Sequence, residues 1–382
     1  MGDAGIAVSA DPNAMHFNAS KLVFSDQSLG LAATYTPWLR SIGLNDVYLA
    51  YLTGFKKIND LQTVGFGLRY FSLGSIQFTD PNGTPLNTGR PNEFELSGAY
   101  ARKLSEKLSA AVTGKFIYSN LAAGNIVNGE VIEPGIAGAA DFSMTYKTPI
   151  KVSKGESDLT IGLAITNIGS KITYTNSLFR DFLPANFGLG GAWTINFDTH
   201  NSLTFTTDIN KMLVPTPCQG LDCDQDRDGR ADYKDVSPVS AIFSSWADAP
   251  EGLSEEIKEF TYSVGTEYWY DKQFAVRAGY FSEHRQKGNR KFFTVGLGLK
   301  YNLFGLNFSY LVPTTSRRNP LDNTLRFSML FNFNGNFFGC KTYAGQIIRR
   351  TDFNAFCRSL HDFDGGSDGI IHEHHWQRSI FF

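Results

Sequence analysis

The clearest chemical pattern in the sequence is an acidic stretch of twelve residues that begins at Asp224 and ends at Asp235. Aspartates occupy positions 1, 3, 5, 9 and 12 of this stretch, and Gly229 occupies position 6. This spacing is that of an EF-type calcium loop, except that aspartate replaces the usual bidentate glutamate at the last position. The groups predicted to bind Ca²⁺ are the carboxylates and one backbone carbonyl of Asp224, Asp226, Asp228, Arg230, Asp232 and Asp235.

The charge density of this stretch supports the calcium interpretation, because five carboxylates so close together repel one another unless a cation lies between them. A solvated acidic loop without metal is the alternative, and the sequence indicates no other cofactor. Cys218 and Cys223 precede the stretch and could join its base. An even count of four cysteines permits two disulfides in an oxidising compartment, although Cys340 and Cys357 are equally compatible with free thiols.

The histidines do not form a pattern that is typical of an enzyme. Those before residue 335 are His16, His200 and His284, and no Gly-x-Ser-x-Gly or His-Glu-x-x-His pattern accompanies them. The sequence therefore predicts that the protein is not an enzyme. Residues 335–382 lose all alternation and contain the run His372-Glu373-His374-His375, which could bind a transition metal. We expect an unstructured or atypical tail there, or sequence beyond the natural end of the gene.

The composition excludes several classes of protein. The net charge of −2 argues against a nucleic-acid binder. No apolar run reaches 18 residues, so a transmembrane helix is not expected. The chain of 382 residues contains 32 Phe, 16 Tyr, 5 Trp and 37 Gly, and only 19% of its residues are charged. Such an aromatic-rich, glycine-rich and charge-poor composition is typical of a transmembrane β-barrel, in which every second strand residue faces lipid.

Alternation of apolar and polar residues is the main structural signal. Between Phe292 and Tyr301 the apolar residues occupy every second position, so Leu297 is predicted to face lipid and Gly298 the lumen. A soluble all-β sandwich is the alternative, but tyrosines and tryptophans gather at the segment ends, as in the interfacial girdles of barrels. Fourteen segments alternate in this way: 28–38, 45–56, 62–73, 92–103, 107–118, 135–147, 158–168, 184–195, 200–212, 259–270, 273–284, 290–302, 304–313 and 322–334.

The connections between these segments are alternately short and long. Outer-membrane barrels have short periplasmic turns and long extracellular loops, so the pattern predicts that both barrel ends are periplasmic. Residues 28–334 are thus predicted to form a 14-stranded antiparallel transmembrane barrel, with 213–258 as its longest extracellular loop. A barrel of this size would enclose an aqueous hole, so residues 1–27 are predicted to plug the lumen. A frayed periplasmic terminus is the alternative.

Several motifs along the chain together carry a family resemblance. They are Gly2-Asp3-Ala4-Gly5, Phe17-Asn18-Ala19-Ser20-Lys21, Tyr35-Thr36-Pro37-Trp38-Leu39, Leu68-Arg69-Tyr70-Phe71-Ser72-Leu73-Gly74, Pro91-Asn92-Glu93-Phe94, Ala99-Tyr100-Ala101-Arg102-Lys103-Leu104-Ser105, Ala247-Asp248-Ala249-Pro250-Glu251-Gly252, Ser254-Glu255-Glu256-Ile257-Lys258-Glu259 and Asn323-Thr324-Leu325-Arg326-Phe327. Together they resemble the PorV (LptO) family of the Bacteroidetes type IX secretion system, within the wider group of FadL-like barrels. The likeness extends over about residues 1–334, although Asn18-Ala19-Ser20 replaces the usual Asn-Pro-Ala and nothing after Asn334 has a counterpart.

The resemblance implies a 14-stranded outer-membrane barrel with an N-terminal plug that receives secreted cargo through the cargo's C-terminal signal domain. Its implied partners are that domain, the translocon barrel, the sortase and attachment complex, and membrane lipid. The alternative function, from the same barrel class, is a channel for hydrophobic small molecules.

Apolar residues in the long loop favour the docking function over the channel, because exposed apolar patches often mark partner surfaces. The segment from Ala249 to Phe260 is predicted to form a short amphipathic helix over the barrel mouth. Capping of the lumen by these residues is the alternative. The predicted cargo-binding residues are Ile242, Phe243, Trp246, Leu253 and Ile257.

Overall fold

The computed structural model describes most of the chain up to residue 333. The described ranges are 1–40, 43–79, 82–122, 124–127, 130–151, 156–175, 180–217, 223–224, 231–314 and 324–333. The predicted tail, 335–382, lies outside them.

Fourteen strands form one closed antiparallel barrel in which the first strand pairs with the last. This confirms the predicted fold class, and each predicted segment corresponds to one strand. The barrel strands are β1 (Leu29–Pro37), β2 (Val47–Asn59), β3 (Gln62–Leu73), β6 (Asn92–Lys103), β7 (Leu108–Asn120), β10 (Gly135–Lys151), β11 (Glu156–Gly169), β12 (Asn186–Asn196), β13 (Asn201–Met212), β14 (Thr261–Tyr270), β15 (Phe274–Ser282), β16 (Lys291–Tyr301), β17 (Phe304–Pro313) and β18 (Leu325–Phe333).

The remaining elements are short and lie in the connections or before the barrel. Two small hairpins pair β4 (Ile76–Thr79) with β5 (Pro85–Gly89), and β8 (Ile126–Val127) with β9 (Glu130–Val131). Within the described ranges, no helix is both long and apolar enough to cross a membrane. The helices are α1 (Ala14–Phe17), α2 (Pro238–Ser244) and α3 (Leu253–Glu256), with 3₁₀ turns at Ala19–Phe24, Asp232–Lys234 and Ile257–Glu259.

The two faces of the wall follow the predicted alternation. On β16 the odd-numbered residues such as Leu297 are exposed on the outside of the barrel. A Cβ atom on Gly298 would instead lie 2.9 Å from the side chains of Arg277 and Asn307, which are polar and point inward. The outer face is therefore an apolar belt and the inner face is polar, as a membrane-embedded barrel requires.

The two rims of the barrel differ in the lengths of their connections. Tight turns join the strands at one rim, and at the β14–β15 turn both Asp271 and Lys272 adopt φ 53°, the left-handed conformation of a type I′ hairpin. The opposite rim carries the long connections, including residues 213–260. The first strand begins and the last strand ends at the short-turn rim.

The N-terminal segment lies inside the barrel. Side chains of Met15, Leu22 and Val23 form one buried apolar cluster with the inward-facing rings of Tyr51 and Phe55 on β2. We call residues 1–24 the plug. An apolar core thus forms in the lumen between the plug and one side of the wall, while charged residues occupy other parts of the inner face.

Candidate docking surface

The plug is bound to the wall by directed hydrogen bonds to its backbone. Asp208, which points inward from β13, accepts the backbone N–H groups of Gly5 at 2.6 Å and Ile6 at 2.9 Å. Asn18 donates to the carbonyl of Ile6 at 3.0 Å and to Thr145 Oγ1 on β10 at 2.9 Å. These contacts fix the path of the plug, since its backbone polar groups are satisfied by particular wall residues.

Glycines in the wall make room for the plug. A Cβ atom on Gly190 would lie 2.4 Å from Asp208 Oδ1 and 2.7 Å from Ile6 Cβ. At Gly188 it would lie 2.5 Å from Ile6 Cδ1, and at Gly162 it would lie 2.7 Å from the Ile6 carbonyl oxygen. The side chain of Ile6 therefore sits in a recess that exists only because these three positions carry no side chain.

The described parts of the long loop (residues 213–260) contact outward-facing side chains at the rim. Because Asp208 points inward, the strict alternation of β13 turns Lys211 outward, and β12 likewise directs Phe187 outward. The indole of Trp246 packs edge-to-face on Phe187, with 5.2 Å between ring centroids. In place of one helix from Ala249 to Phe260 the structure has the shorter helix α3 followed by a 3₁₀ turn, and Glu256 of α3 contacts the outward-facing Lys211.

A network of buried and half-buried charges holds this part of the loop. Lys211 Nζ is completely buried and donates to Glu256 Oε2 at 2.8 Å and to Glu259 Oε2 at 2.5 Å. Lys287, from the neighbouring connection, donates to Glu255 Oε1 at 2.7 Å and to Glu259 Oε1 at 2.9 Å. We call Lys211, Glu255, Glu256, Glu259 and Lys287 the ionic network. Charges removed from water in this way are tolerated only when each has a partner.

The ionic network shifts the acidity of its glutamates. Burial alone would raise the pKa of Glu259, but hydrogen bonds from Lys211 and Lys287 outweigh that effect and hold the pKa below its usual range. The Lys287 hydrogen bond and the backbone N–H of Glu251 lower the pKa of Glu255 in the same direction. The carboxylate forms are therefore favoured, and the network is intact near neutral pH.

Away from the ion pairs, the loop exposes apolar side chains. Helix α2 begins at a Ser237 cap followed by Pro238, a favourable start for a short helix, and it turns Phe243 outward with 75% of the residue exposed. On α3 and the turn that follows, Leu253 is 78% exposed and Ile257 62% exposed. We call these three exposed residues, Phe243, Leu253 and Ile257, the docking face.

Comparison with known proteins identifies the family. A family model described as "Type IX secretion system protein PorV" matches residues 1–219, more than half of the chain. The chain belongs to the PorV family. No curated protein sequence matches it.

Solved barrels of similar architecture have low sequence identity to this PorV-family chain. The toluene transporter TodX of Pseudomonas putida is 10% identical, with 86% of this chain and 94% of that chain covered and a TM-score of 0.45. The monoaromatic hydrocarbon channel CymD is 11% identical, with coverage of 88% and 96% and a TM-score of 0.48. A FadL homologue of Pseudomonas aeruginosa is 12% identical, with coverage of 87% and 96% and a TM-score of 0.42.

Membership of the PorV family confirms the resemblance found in the sequence. It makes the protein an outer-membrane barrel of the type IX secretion system, with partners in that system, and not an enzyme.

The histidines of the barrel region lie in separate environments. His16 Nδ1 is 2.7 Å from Arg69 in the lumen, whereas His200 Nδ1 is 2.9 Å from Asp271 Oδ1 at an exposed turn.

The predicted docking residues of the PorV-family chain all lie in the long loop, but they are not equally exposed. Phe243, Leu253 and Ile257 are exposed, Ile242 is half-buried, and Trp246 combines 40% exposure with its contact to Phe187. Their role in docking stays a prediction.

The ionic network was not predicted. Its sequence signals were a lysine at an outward position near the end of β13 and the acidic pattern Glu255-Glu256-x-x-Glu259.

The predicted calcium loop is only partly described. Asp226, Asp228 and Arg230 lie outside the described residues, whereas Asp224, Asp232 and Asp235 lie within them. Among the described residues, no group of three or more histidines, cysteines and acids is placed to hold a metal ion. Cys223 is disulfide-bonded, and its carbonyl accepts the backbone N–H of Asp232 at 2.7 Å, which brings position 9 of the acidic stretch close to its start. Calcium binding stays a prediction.

Proposed function

We propose that the protein is a docking and shuttle component of type IX secretion, which binds the C-terminal signal domain of secreted cargo. In this proposal it receives cargo from the translocon barrel and passes it to the sortase and attachment complex. The observation that carries the proposal is the docking face, because three large apolar side chains stay exposed on a loop that buried ion pairs hold in place. Large exposed apolar patches usually mark a site that a partner covers.

The orientation of the barrel belongs to the same proposal. We infer that the short-turn rim and both barrel ends face the periplasm, as in outer-membrane barrels generally. The docking face would then lie at the cell surface, where cargo emerges. Protease added to intact cells should cut within residues 213–260, and protection of that loop together with cleavage at the Asp271 turn would contradict the orientation.

The plug favours docking over the alternative channel for hydrophobic small molecules. A channel needs a path past the plug, and here the backbone of Gly5 and Ile6 is bonded to the wall. The recess at Gly190 fits Ile6 so closely that even a methyl group would overlap it. A plug seated in this way supports a closed barrel whose function lies in its external loops.

The test is to make the docking face polar without disturbing its support. In the triple variant Phe243→Ser/Leu253→Ser/Ile257→Ser, cargo with an intact C-terminal domain should no longer co-purify with the barrel, and surface attachment of cargo should fail. The matched control is Ile126→Ser/Val131→Ser on the β8–β9 hairpin, whose residues are comparably exposed at the same rim. The control should bind and attach cargo like the parent.

Heat-modifiable migration on gels verifies that each variant barrel has folded. If the triple variant folds and its cargo is still processed and attached, the docking face does not bind cargo. If the control fails as badly as the triple variant, the effect is not specific to this loop. Either result overturns the proposal.

A further inference from the structure

An apolar groove of about 550 Å³ lies on the outer wall of the barrel, far in sequence from the docking face. It spans five neighbouring strands, β17, β18, β1, β2 and β3, around the seam where the barrel closes. Alanines Ala33 and Ala50 lie along its centre, and larger side chains flank them, including Tyr35, Tyr70, Phe327 and Met329.

Strand register explains why the groove forms. One row of outward-facing residues crosses the strands as Met329, Ala33 and Leu52, and the next row crosses them as Phe327, Tyr35, Ala50 and Tyr70. Each row is made of large side chains except for one alanine, and the two alanines lie on adjacent strands, β1 and β2. The missing side chains leave a furrow that passes diagonally from β1 to β2.

The furrow ends where the next row begins. Gly54 occupies the corresponding position of β2, but the side chains of Leu31 and Phe66 already lie 2.6 Å from the place where its Cβ would be. The groove is therefore a bounded feature of this part of the wall and not a general thinning of the β1–β2 surface.

Three tyrosines set the depth of the groove in the membrane. Tyr35, Tyr48 and Tyr70 lie side by side on the outer face, with 5.5 Å and 6.1 Å between successive ring centroids. All three are within a few residues of the strand ends at the long-loop rim, where an aromatic girdle meets the lipid head groups. From this level the groove extends past Ala33 towards the middle of the apolar belt.

We propose that this groove holds one acyl chain of a membrane lipid, with the lipid head group at the level of the three tyrosines. The surface lies in the hydrocarbon layer, so its occupant must be apolar. The width of the furrow also restricts the occupant, because the furrow is the space left by the short side chains of Ala33 and Ala50 on two strands that are about 4.8 Å apart. An α-helix of a partner, about 10 Å across, is too wide for that space, whereas a polymethylene chain fits.

The bound lipid can be measured by native mass spectrometry of the full chain, extracted in mild detergent with outer-membrane phospholipid present. The parent barrel should retain one phospholipid. Ala50→Phe fills the groove from β2 and should lose that lipid, and Ala33→Phe fills it independently from β1 with the same result. Ala278→Phe is the matched control, since Ala278 is an outward-facing alanine on β15, outside the groove.

A labelling experiment on the parent tests the site without any variant. A phosphatidylethanolamine with a diazirine on its acyl chain should label the peptides that contain Ala33 and Ala50 more strongly than the peptide that contains Ala278. Equal labelling of these peptides, or equal lipid retention in the parent and both groove variants, would overturn the proposal. So would a second protein chain that the parent retains and Ala50→Phe loses, because a protein surface would then cover the groove.

Discussion

The plug and the long loop both leave the barrel wall, and they differ in the exposure of their large apolar side chains. The plug buries apolar residues such as Leu22 and Val23, next to the buried Lys21, and is bound through its backbone to Asp208. The long loop buries its own Glu256 against Lys211 of β13 and exposes large apolar side chains such as Leu253. In the plug, which the structure describes completely, none of the large apolar side chains is exposed, whereas the loop exposes several.

This difference indicates which region is built for contact with another molecule. Leaving a large apolar side chain in water forgoes about 1.5–3 kcal/mol that its burial would contribute, and burying an ion pair costs free energy unless its geometry is good. At Leu22 and Val23 the plug has neither of these two unfavourable contributions to its free energy. The loop carries both, so the arrangement is understandable if a partner covers its apolar face and the ionic network keeps that face turned outward.

The largest expected effect comes from removing the central charge of the ionic network. Lys211→Met leaves Glu256 buried without its partner, which typically costs about 3–5 kcal/mol. The loss should open the loop and leave the barrel closed, because the strand ladders do not depend on this side chain. Limited proteolysis should therefore cut within 213–260 much faster, while heat-modifiable migration persists. Lys272→Met, at an exposed turn, serves as the control, and equal cleavage in both would mean that the network does not hold the loop.

A smaller effect is expected in the plug, and two adjacent glycines make the test a matched one. Gly190→Val forces a side chain into Asp208 and Ile6, and overpacking of this kind typically costs about 1–3 kcal/mol. Gly191→Val adds a side chain where nothing lies within 4 Å, so it should be close to neutral. The measurement is the midpoint temperature of the heat-modifiable transition. Equal midpoints would show that the plug is seated less closely than the recess indicates.

The sequence predicted the strands well because alternation is a local property. Leu297 and Gly298 could be assigned to opposite faces from their own segment, and the fourteen segments followed in the same way. The plug was predicted from composition and from the size of the lumen, but not its recess, because the contact of Ile6 with Gly190 joins positions far apart in the chain.

The support of the long loop could not be predicted for a similar reason. Lys211 and Glu256 are 45 positions apart, and their pairing depends on the loop folding outward over the rim. A helical pattern shows which residues share a face but not which face meets the wall. The polar face of α3 contacts the barrel here because Lys211 occupies an outward position there.

Acid should loosen the long loop. The pKa of Glu259 is held below its usual range, so its contribution to stability is present above the unfolded value of about 4.3 and is lost as the pH falls through the folded value. Proteolysis within 213–260 should accelerate as the pH falls below about 4. Hydrogen exchange at low pH provides an equivalent readout that does not depend on a protease. In Glu259→Gln this acceleration should be much weaker, and an unchanged pH profile in that variant would exclude Glu259 as the titrating group.

The smallest expected effect concerns the acidic stretch that precedes α2. Its spacing predicts one Ca²⁺ bound by Asp224, Asp226, Asp228, Asp232 and Asp235 with the Arg230 carbonyl, and extracellular sites of this class have dissociation constants on the order of 10⁻⁴–10⁻³ M. Millimolar Ca²⁺ would then stabilise this part of the loop by only about 1 kcal/mol. Calorimetric titration should show a single saturable site in the parent and none in Asp224→Ala, while Asp198→Ala, in the β12–β13 turn, should bind like the parent. Absence of binding in the parent would leave an ordinary solvated acidic loop, and the docking face would then rely on the ionic network without help from a metal.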